Sequence, residues 1–248
     1  MVKKRKFRTK RGHPVAILIG LHEDNAVFWR IFSESVKPDI TIKRGRKRKY
    51  QDNKQVYHFH EAIVDKLRPI IKEGLKSVLL VSPPKKEYSR EFLNHVRKHH
   101  KWLFKKGENS VIFTEIEGSA KIQGDVIGLV RQDYFKDAVE DTSNQEGMLI
   151  LGELDELINK SNENSKILYT LKEIEKEIDK KWKENEIKPN YIILTDEYLE
   201  NPQKRRRTHR ILQIAKNHGI RTKVVNVESV AGMRVKGFGG LICFTKRN

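Results

Sequence analysis

Short apolar runs that alternate with amphipathic stretches restrict most of this chain to a mixed α/β architecture. The first half opens with two predicted strands, at residues 15–20 and 26–32, joined by a polar turn, and a third strand at 39–43. The elements predicted after them are a helix at 55–73, a strand at 77–82, a helix at 88–104, a strand at 111–114 and a helix at 120–130. Strands and helices that alternate after an opening meander are typical of a mixed α/β domain.

The second half continues the alternation with shorter elements. The predicted elements are a helix at 148–159, a strand at 167–169, a helix from 170, a strand at 191–195, a helix at 206–218 and strands at 222–227 and 241–244. Thr170 and Glu173 have capping-box spacing. This order predicts a compact α/β/α sandwich. Polar residues 141–147 are predicted to be a linker, so we expect two domains, at 14–140 and 148–248, behind a basic flexible arm at 1–13.

Positive charge is concentrated in three stretches of the chain. The formal net charge is +18, from 51 lysines and arginines against 33 aspartates and glutamates. The basic residues of these stretches are Lys3, Lys4, Arg5, Lys6, Arg8, Lys10 and Arg11; Lys43, Arg44, Arg46, Lys47, Arg48 and Lys49; and Lys204, Arg205, Arg206, Arg207 and Arg210. Their number equals the net charge, so the rest of the chain is formally neutral. Charge concentrated in this way repels itself unless a polyanion neutralises it.

Nucleic acid is the partner that this charge distribution favours, and we predict that all three stretches bind it. An anionic membrane is the second candidate, but none of the stretches has a clear apolar face for insertion. A third interpretation is that the runs are solvated and have no partner. Arg205, Arg206 and Arg207 open a predicted helix, where positive charge opposes the helix macrodipole. This misfit favours a functional role for the cluster.

Cysteine content and hydropathy favour the cytoplasm. A single cysteine, Cys243, excludes a disulfide within the chain and fits a reducing compartment. No apolar run approaches the roughly 20 residues that span a bilayer. The polybasic N-terminus lacks the apolar segment of a secretory signal. We therefore expect a cytoplasmic protein with no membrane partner.

A glycine-rich stretch near the C-terminus carries a resemblance to a known family. Gly237, Gly239 and Gly240 surround Phe238, a density that implies positive φ or a close backbone approach, and the apolar run 241–244 follows. This ending resembles the third domain of the class I release factors of eukaryotes and archaea, and of their ribosome-rescue relative Pelota.

Further segments are similar to this family in order and spacing. Residues 149–157 resemble the opening helix of its third domain, 191–199 a later strand and its exit, and 79–84 a strand and turn of Pelota. Together the similarity covers nearly all of residues 14–248. It implies that the first domain has the RNase H-like architecture of the family's tRNA-mimicking middle domain. It also implies that the second domain resembles the C-terminal domain that meets a translational GTPase or ATPase.

Two departures from the family change the expected function. A basic arm stands where the family has its N-terminal decoding domain, so we do not expect codon recognition. Release factors carry Gly-Gly-Gln in the loop that matches residues 43–55, and this sequence does not. The resemblance implies that Gln51 or Gln55 could take the role of the family glutamine, which places a water against the peptidyl-tRNA ester. A loop that only binds is the other interpretation.

The histidines do not predict a metal site. Glu91, His95 and His99 share a helical face at i, i+4 and i+8, but no Cys-x-x-Cys or His-Glu-x-x-His pattern accompanies them. His58 and His60 point to different faces of one predicted helix. No glycine-rich loop precedes a helix in the way that phosphate binding requires. We therefore expect an RNA-facing histidine surface, without metal or cofactor.

Three functional hypotheses remain open. The first is a codon-independent, non-catalytic factor resembling Pelota that binds rRNA and P-site tRNA near the peptidyl-transferase centre in rescue, quality control or idling of ribosomes. The second is a peptidyl-tRNA hydrolase. The third is a standalone structured-RNA-binding protein, because small ribosomal kink-turn binders share the architecture expected of the second domain. We expect a monomer.

Overall fold

The computed structural model of the protein describes residues 12–45, 52–105, 107, 109–160, 166–180, 182 and 188–245. Five strands form its first sheet: β1 (Pro14–Leu21), β2 (Asn25–Phe32), β3 (Ser35–Lys43), β4 (Ser77–Ser82) and β5 (Ile112–Glu117). Their order is β3-β2-β1-β4-β5. The first three strands form an antiparallel meander, whereas β4 and β5 run parallel to β1. This arrangement agrees with the RNase H-like architecture that the resemblance implied.

Helices cover both faces of the first sheet. They are α1 (Asp52–Lys72), α2 (Tyr88–His99), α3 (Gln123–Leu129) and α4 (Asp133–Lys160), with a short 3-10 helix (Lys101–Leu103) after α2. Ile17 of β1 lies in one buried cluster with Ile63 of α1 and residues of α2. Leu18, on the opposite face, lies in a second cluster with residues of α3 and α4. Because both faces are covered, β1 has a continuous apolar run instead of an alternating one.

The second sheet has four strands and is covered by helices on both faces. Its strands are β6 (Lys166–Leu168), β7 (Tyr191–Thr195), β8 (Arg221–Val225) and β9 (Leu241–Thr245), in the order β6-β9-β7-β8. β7 and β8 are parallel, and β9 is antiparallel to both β6 and β7. The helices of this half are α5 (Leu171–Ile178), α6 (Asp196–Glu200), α7 (Arg205–Asn217) and α8 (Val230–Gly237). Apolar residues of α5 and α7 cover one face, and those of α4 and α8 cover the other, so the predicted α/β/α sandwich is confirmed.

Helix α4 belongs to both halves of the molecule. Thr142 hydrogen-bonds Thr114 of β5 at 2.7 Å, while Leu151 and Leu154 lie in the core of the second sheet. Residues 141–147, which we expected to be a linker, therefore lie inside a continuous helix. Thr142 and Glu146 are fully buried and hydrogen-bonded. The polar side chains suggested an exposed segment, whereas in the fold Thr142 and Glu146 hydrogen-bond residues of the first sheet and Glu146 also binds Lys223 of β8.

The C-terminal glycines have the backbone that their density predicted. Gly239 and Gly240 have φ values of +93° and +84° and follow α8, a helix that the sequence did not reveal. The capping box is confirmed, because Thr170 accepts from the N–H of Glu173 while the Glu173 carboxylate reaches back to Thr170. Cys243 is buried in β9, where desolvation raises the pKa of its thiol to about 12.

Two further outcomes concern α1 and the membrane. Pro69 lies inside α1, which continues past it to Lys72. In the part of the chain that the structure describes, no helix is both long and apolar enough to cross a membrane.

Candidate functional site

The loop that follows β3 is anchored at its root to the turn between β1 and β2. The N–H of Arg44 donates to the carbonyl oxygen of Asp24 at 2.8 Å, and its guanidinium lies 3.5 Å from the carbonyl oxygen of Glu23. The N-terminal basic arm, from Lys3 to Arg11, and the centre of the loop, Arg46 to Lys49 with Gln51, lie outside the described residues. Lys43 ends β3, so the predicted basic loop leaves the first sheet at its edge strand.

Gln55 lies in the first turn of α1, where the same loop returns to the fold. Its Oε1 is buried and, among the described residues, has no hydrogen-bond partner. At the β1–β2 turn, His22 Nε2 and Asn25 Oδ1 are also buried and have no hydrogen-bond partner among the described residues. A cavity of about 20 Å³, lined in part by His22, Arg44 and His60, lies between these elements and could hold about one water molecule. Buried polar atoms without a protein partner cost stability unless water or a ligand satisfies them.

The basic cluster at the start of α7 is partly neutralised inside the protein. The Arg207 guanidinium binds Glu175 of α5 through two nitrogens, at 2.9 and 2.5 Å. This pairing raises the pKa of Arg207 and lowers that of Glu175. Arg205 lies 3.1 Å from Glu200, and Arg210 lies 3.9 Å from Asp179.

Two other members of this cluster have no carboxylate partner among the described residues. Lys204 places its ammonium 4.8 Å from the centre of the Tyr198 ring, and Arg206 is exposed. The macrodipole misfit that the sequence indicated at Arg205, Arg206 and Arg207 is therefore relieved at Arg205 and Arg207, by acidic residues of α6 and α5. The RNA-binding role of all five residues stays a prediction, and Arg206 is the member best placed for an external anion.

A histidine cluster joins α1 to the end of α2. The Nε2 atoms of His95 and His100 both lie 2.9 Å from Oε1 of Glu61. Desolvation opposes ionisation of Glu61, but hydrogen bonds from His100 and His95 still lower the pKa of this carboxyl. Desolvation also lowers the pKa of His95, and it lowers that of His60 to about 4.

The sequence grouped these histidines differently. Glu91 and His99 were expected to share a face with His95, but His95 turns inward to Glu61, and Glu91 lines the small cavity. His99 has ring contacts with His95, at 4.8 Å between centroids, and with Tyr57, at 5.2 Å. Glu61 is separated from His95 by 34 residues and from His100 by 39, so no local motif could have identified this set.

A buried charge network connects the two sheets through α4. Glu146 is fully buried, and its carboxylate accepts from Ser77 Oγ at 2.5 Å, from the Lys76 N–H at 3.1 Å and from Lys223 Nζ at 2.6 Å. Lys76 also lies 3.9 Å from Glu153. These contacts tie β4 and β8 to the same helix.

A cavity of about 640 Å³ lies beside this network, between the two sheets. Its lining is mostly apolar on the side of the first sheet, with Ile127, Phe135 and Val139, and polar on the other, with Asp196 and Asn226. His13 lies at its wall, where desolvation, followed by the nearby charge of Lys223, lowers the pKa of His13 to about 4.

Comparisons with known proteins identify the fold. No family model and no curated protein sequence matches the chain. Ribosome-bound archaeal Pelota, described together with ABCE1, superposes with a TM-score of 0.55 and 14% identity, over 99% of this chain and 65% of that protein. The translation termination-like factor Dom34 of S. cerevisiae gives a TM-score of 0.47 and 17% identity, over 93% of this chain and 62% of Dom34.

The archaeal termination factor aRF1 gives a TM-score of 0.32 and 13% identity, over 94% of this chain and 62% of that protein. The superposition on archaeal Pelota confirms the predicted resemblance at the level of the fold. The chain spans less than two thirds of the length of both archaeal Pelota and Dom34.

Proposed function

We propose that this protein is a cytoplasmic, ribosome-associated translation factor that acts in rescue, quality control or idling of ribosomes. The observation that carries the proposal is the fold shared with archaeal Pelota, a protein described as ribosome-bound. The proposed contacts are rRNA and P-site tRNA near the peptidyl-transferase centre. The three basic stretches supply the attraction to RNA. They contain no acidic residues, and the rest of the chain is formally neutral, so the positive charge of the stretches is not balanced within the chain.

The proposed binding does not depend on a codon. Lysines and arginines that contact phosphates position a protein on RNA but carry no base-sequence information. Lys43 and Arg44 at the root of the loop and Arg206 on α7 are the described residues that would act in this way. Binding should therefore be similar on ribosomes with different A-site codons and steeply dependent on salt.

A translational GTPase or ATPase is the partner that we propose besides the ribosome. Archaeal Pelota is described with ABCE1, and Dom34 is described as interacting with Hbs1. By analogy with these proteins, the half of the chain built on the second sheet would meet such a partner. The proposed factor acts as a monomer.

Sedimentation with purified ribosomes tests this proposal. The tag-free protein should pellet with ribosomes in dilute salt and dissociate as the salt concentration rises. For each tenfold rise in salt, the logarithm of the binding constant should fall by about 0.7–0.9 for every phosphate that the protein neutralises. Replacing Arg46, Lys47, Arg48 and Lys49 by glutamine should reduce that slope. Equal affinity for free structured RNA and for ribosomes would favour a standalone RNA-binding protein instead. No sedimentation with ribosomes at any salt concentration would contradict the proposal.

A second candidate function, peptidyl-tRNA hydrolysis, is favoured by one observation. Gln55 carries a buried amide oxygen without a partner among the described residues, next to the loop that corresponds to the release-factor loop. Such a group could position a water molecule. If the protein is a hydrolase, it should release peptide from purified ribosomes, and Gln55→Ala or Gln51→Ala should abolish release while Gln145→Ala, on the exposed face of α4, should not. Failure of the unaltered protein to release peptide would exclude this function.

A further inference from the structure

Glu61, His95 and His100 bring three possible metal ligands together. Glu61 is on α1, His95 is in the last turns of α2, and His100 follows the end of that helix. Their ligand atoms all lie within 4.8 Å of one another. Both histidine side chains are 7% exposed, and that of Glu61 is 26% exposed. The set is therefore shielded from water on the histidine side and open at the carboxylate.

We propose that Glu61, His95 and His100 form a binding site for one divalent transition-metal ion, with zinc as the best match. Two imidazoles and one carboxylate are a donor set that zinc accepts with a water as fourth ligand. Magnesium and calcium prefer oxygen ligands alone, so two imidazole nitrogens disfavour them.

The distances are compatible with such a site. Ligand atoms that surround zinc tetrahedrally, at 2.0–2.1 Å from the ion, lie roughly 3.3 Å from one another. The two nitrogens lie 2.9 Å from the Glu61 oxygen, and the three ligand atoms lie within 4.8 Å of one another. To surround an ion, each nitrogen would move a few tenths of an ångström away from the oxygen, and the two nitrogens would approach each other by up to about 1.5 Å. Ion binding would require the histidine side chains to rotate toward each other, and the partial exposure of Glu61 leaves room for the water ligand.

Neighbouring side chains support the orientation of the ligands. Tyr57 lies one turn before Glu61 on α1, and its ring centroid lies 5.0 Å from that of His95. The rings of His60 and His99 lie 5.0 and 4.8 Å from the ring of His95, so they pack around the site.

The ion would join α1 to the α2 end and thereby stabilise the helix that begins just after the basic loop. A purely hydrogen-bonded cluster is the competing interpretation, in which both histidines donate Nε2–H to Glu61. The two differ in a measurable way. Only a metal site binds one ion per chain and depends on all three side chains together.

Isothermal titration of zinc into the tag-free, chelator-treated full-length protein tests the proposal without ribosomes. We expect one zinc ion per chain, and visible d–d absorption of tetrahedral type when cobalt replaces zinc. Glu61→Gln and His100→Gln should each lower the zinc affinity by about 100-fold or more, because a ligand is lost. His58→Gln on α1 and Glu91→Gln on α2 are matched controls that should change it by less than about threefold.

Thermal unfolding of each variant without metal verifies that the variant folds. Adding zinc should raise the melting temperature of the unaltered protein and of the two control variants, but not that of Glu61→Gln or His100→Gln. The proposal is overturned if the unaltered protein does not bind one zinc per chain, or if Glu61→Gln binds as tightly as the unaltered protein. Equal loss in the His58→Gln control would also overturn it, since the binding would then belong to dispersed surface histidines.

Discussion

The basic residues next to α4 and those on α7 differ in burial and in pairing with carboxylates. At α4, Lys223 is 3% exposed and donates to Glu146, which is fully buried, so the charges are paired inside the protein. At α7, Arg207 is paired with Glu175 on the surface, and Arg206, one residue earlier, is exposed without a carboxylate partner among the described residues. The comparison separates basic residues that hold the fold together from those that remain available to a polyanion.

Burial decides how much each kind of charge matters to stability. A buried ion pair that loses one partner leaves a charge without solvation, which costs several kcal/mol. A surface pair gains little, since water and salt screen it. Mutations at α4 should therefore act on folding, whereas mutations at α7 should act mainly on binding.

The largest expected effect is the loss of stability when the buried carboxylate Glu146 is removed. Glu146→Ala removes the acceptor of Lys223, of Ser77 and of the Lys76 N–H, and should lower the free energy of unfolding by about 3–5 kcal/mol. Urea denaturation measures this loss as a lower midpoint.

Two comparisons sharpen that result. Gln145→Ala, at the exposed neighbouring position, should change the free energy of unfolding by less than about 0.5 kcal/mol. The double variant Glu146→Leu/Lys223→Met removes both charges and should be more stable than Glu146→Ala. A loss below about 1 kcal/mol in Glu146→Ala would mean that the network does not connect the sheets as described.

The next effect is a dependence of stability on pH through His13. Charged groups around it are Lys223 of β8, Asp196 and Glu200 of α6, and His209 of α7. Because the pKa of His13 falls from 6.5 to about 4 on folding, the unfolded chain binds more protons between these values. The contribution of His13 to the free energy of unfolding is therefore fully present above about pH 6.5 and is lost as the pH falls toward 4.

The expected loss is roughly 2 kcal/mol, allowing for the partial exposure of the ring. It is measured as the difference between the unaltered protein and His13→Gln in urea midpoints from pH 7 to pH 4, because other groups titrate equally in both. Identical pH profiles would show that His13 does not lie in a desolvated wall between the sheets.

The smallest effects distinguish Arg206 from Arg207. Arg207→Ala breaks the two-nitrogen contact with Glu175 and should lower the urea midpoint of unfolding only slightly, because water and salt screen a surface pair. Arg206→Ala should leave the free energy of unfolding unchanged. In ribosome binding, it should make the plot of the logarithm of the binding constant against the logarithm of the salt concentration less steep by about 0.7–0.9. Equal effects of the two variants on both measurements would remove the distinction between paired and available arginines.

Local patterns were sufficient to predict most of the architecture. Alternating apolar runs and amphipathic stripes indicated both sheets, and the Thr170–Glu173 capping box marked the start of α5. Glycine density near Phe238 indicated positive φ, which Gly239 and Gly240 have. These features depend on residues close together in sequence, so a single sequence contains them.

Features that depend on distant partners could not be predicted in the same way. The polar residues 141–147 suggested a linker, because the sequence does not show that Glu146 would meet Lys223, 77 residues away. Arg206 and Arg207 look alike in the sequence, and only the position of α5 distinguishes them. Glu61 and His100 similarly require the packing of α1 against α2. The catalytic and RNA-binding roles of the predicted residues stay predictions.

A reconstruction by electron cryomicroscopy of the protein bound to ribosomes in dilute salt tests the central claim most directly. Our account predicts that residues 43–55 lie against rRNA or tRNA phosphates near the peptidyl-transferase centre, with Arg206 on a second phosphate contact. A particle in which this loop faces solvent, or ribosomes without bound protein at saturating concentration, would contradict it.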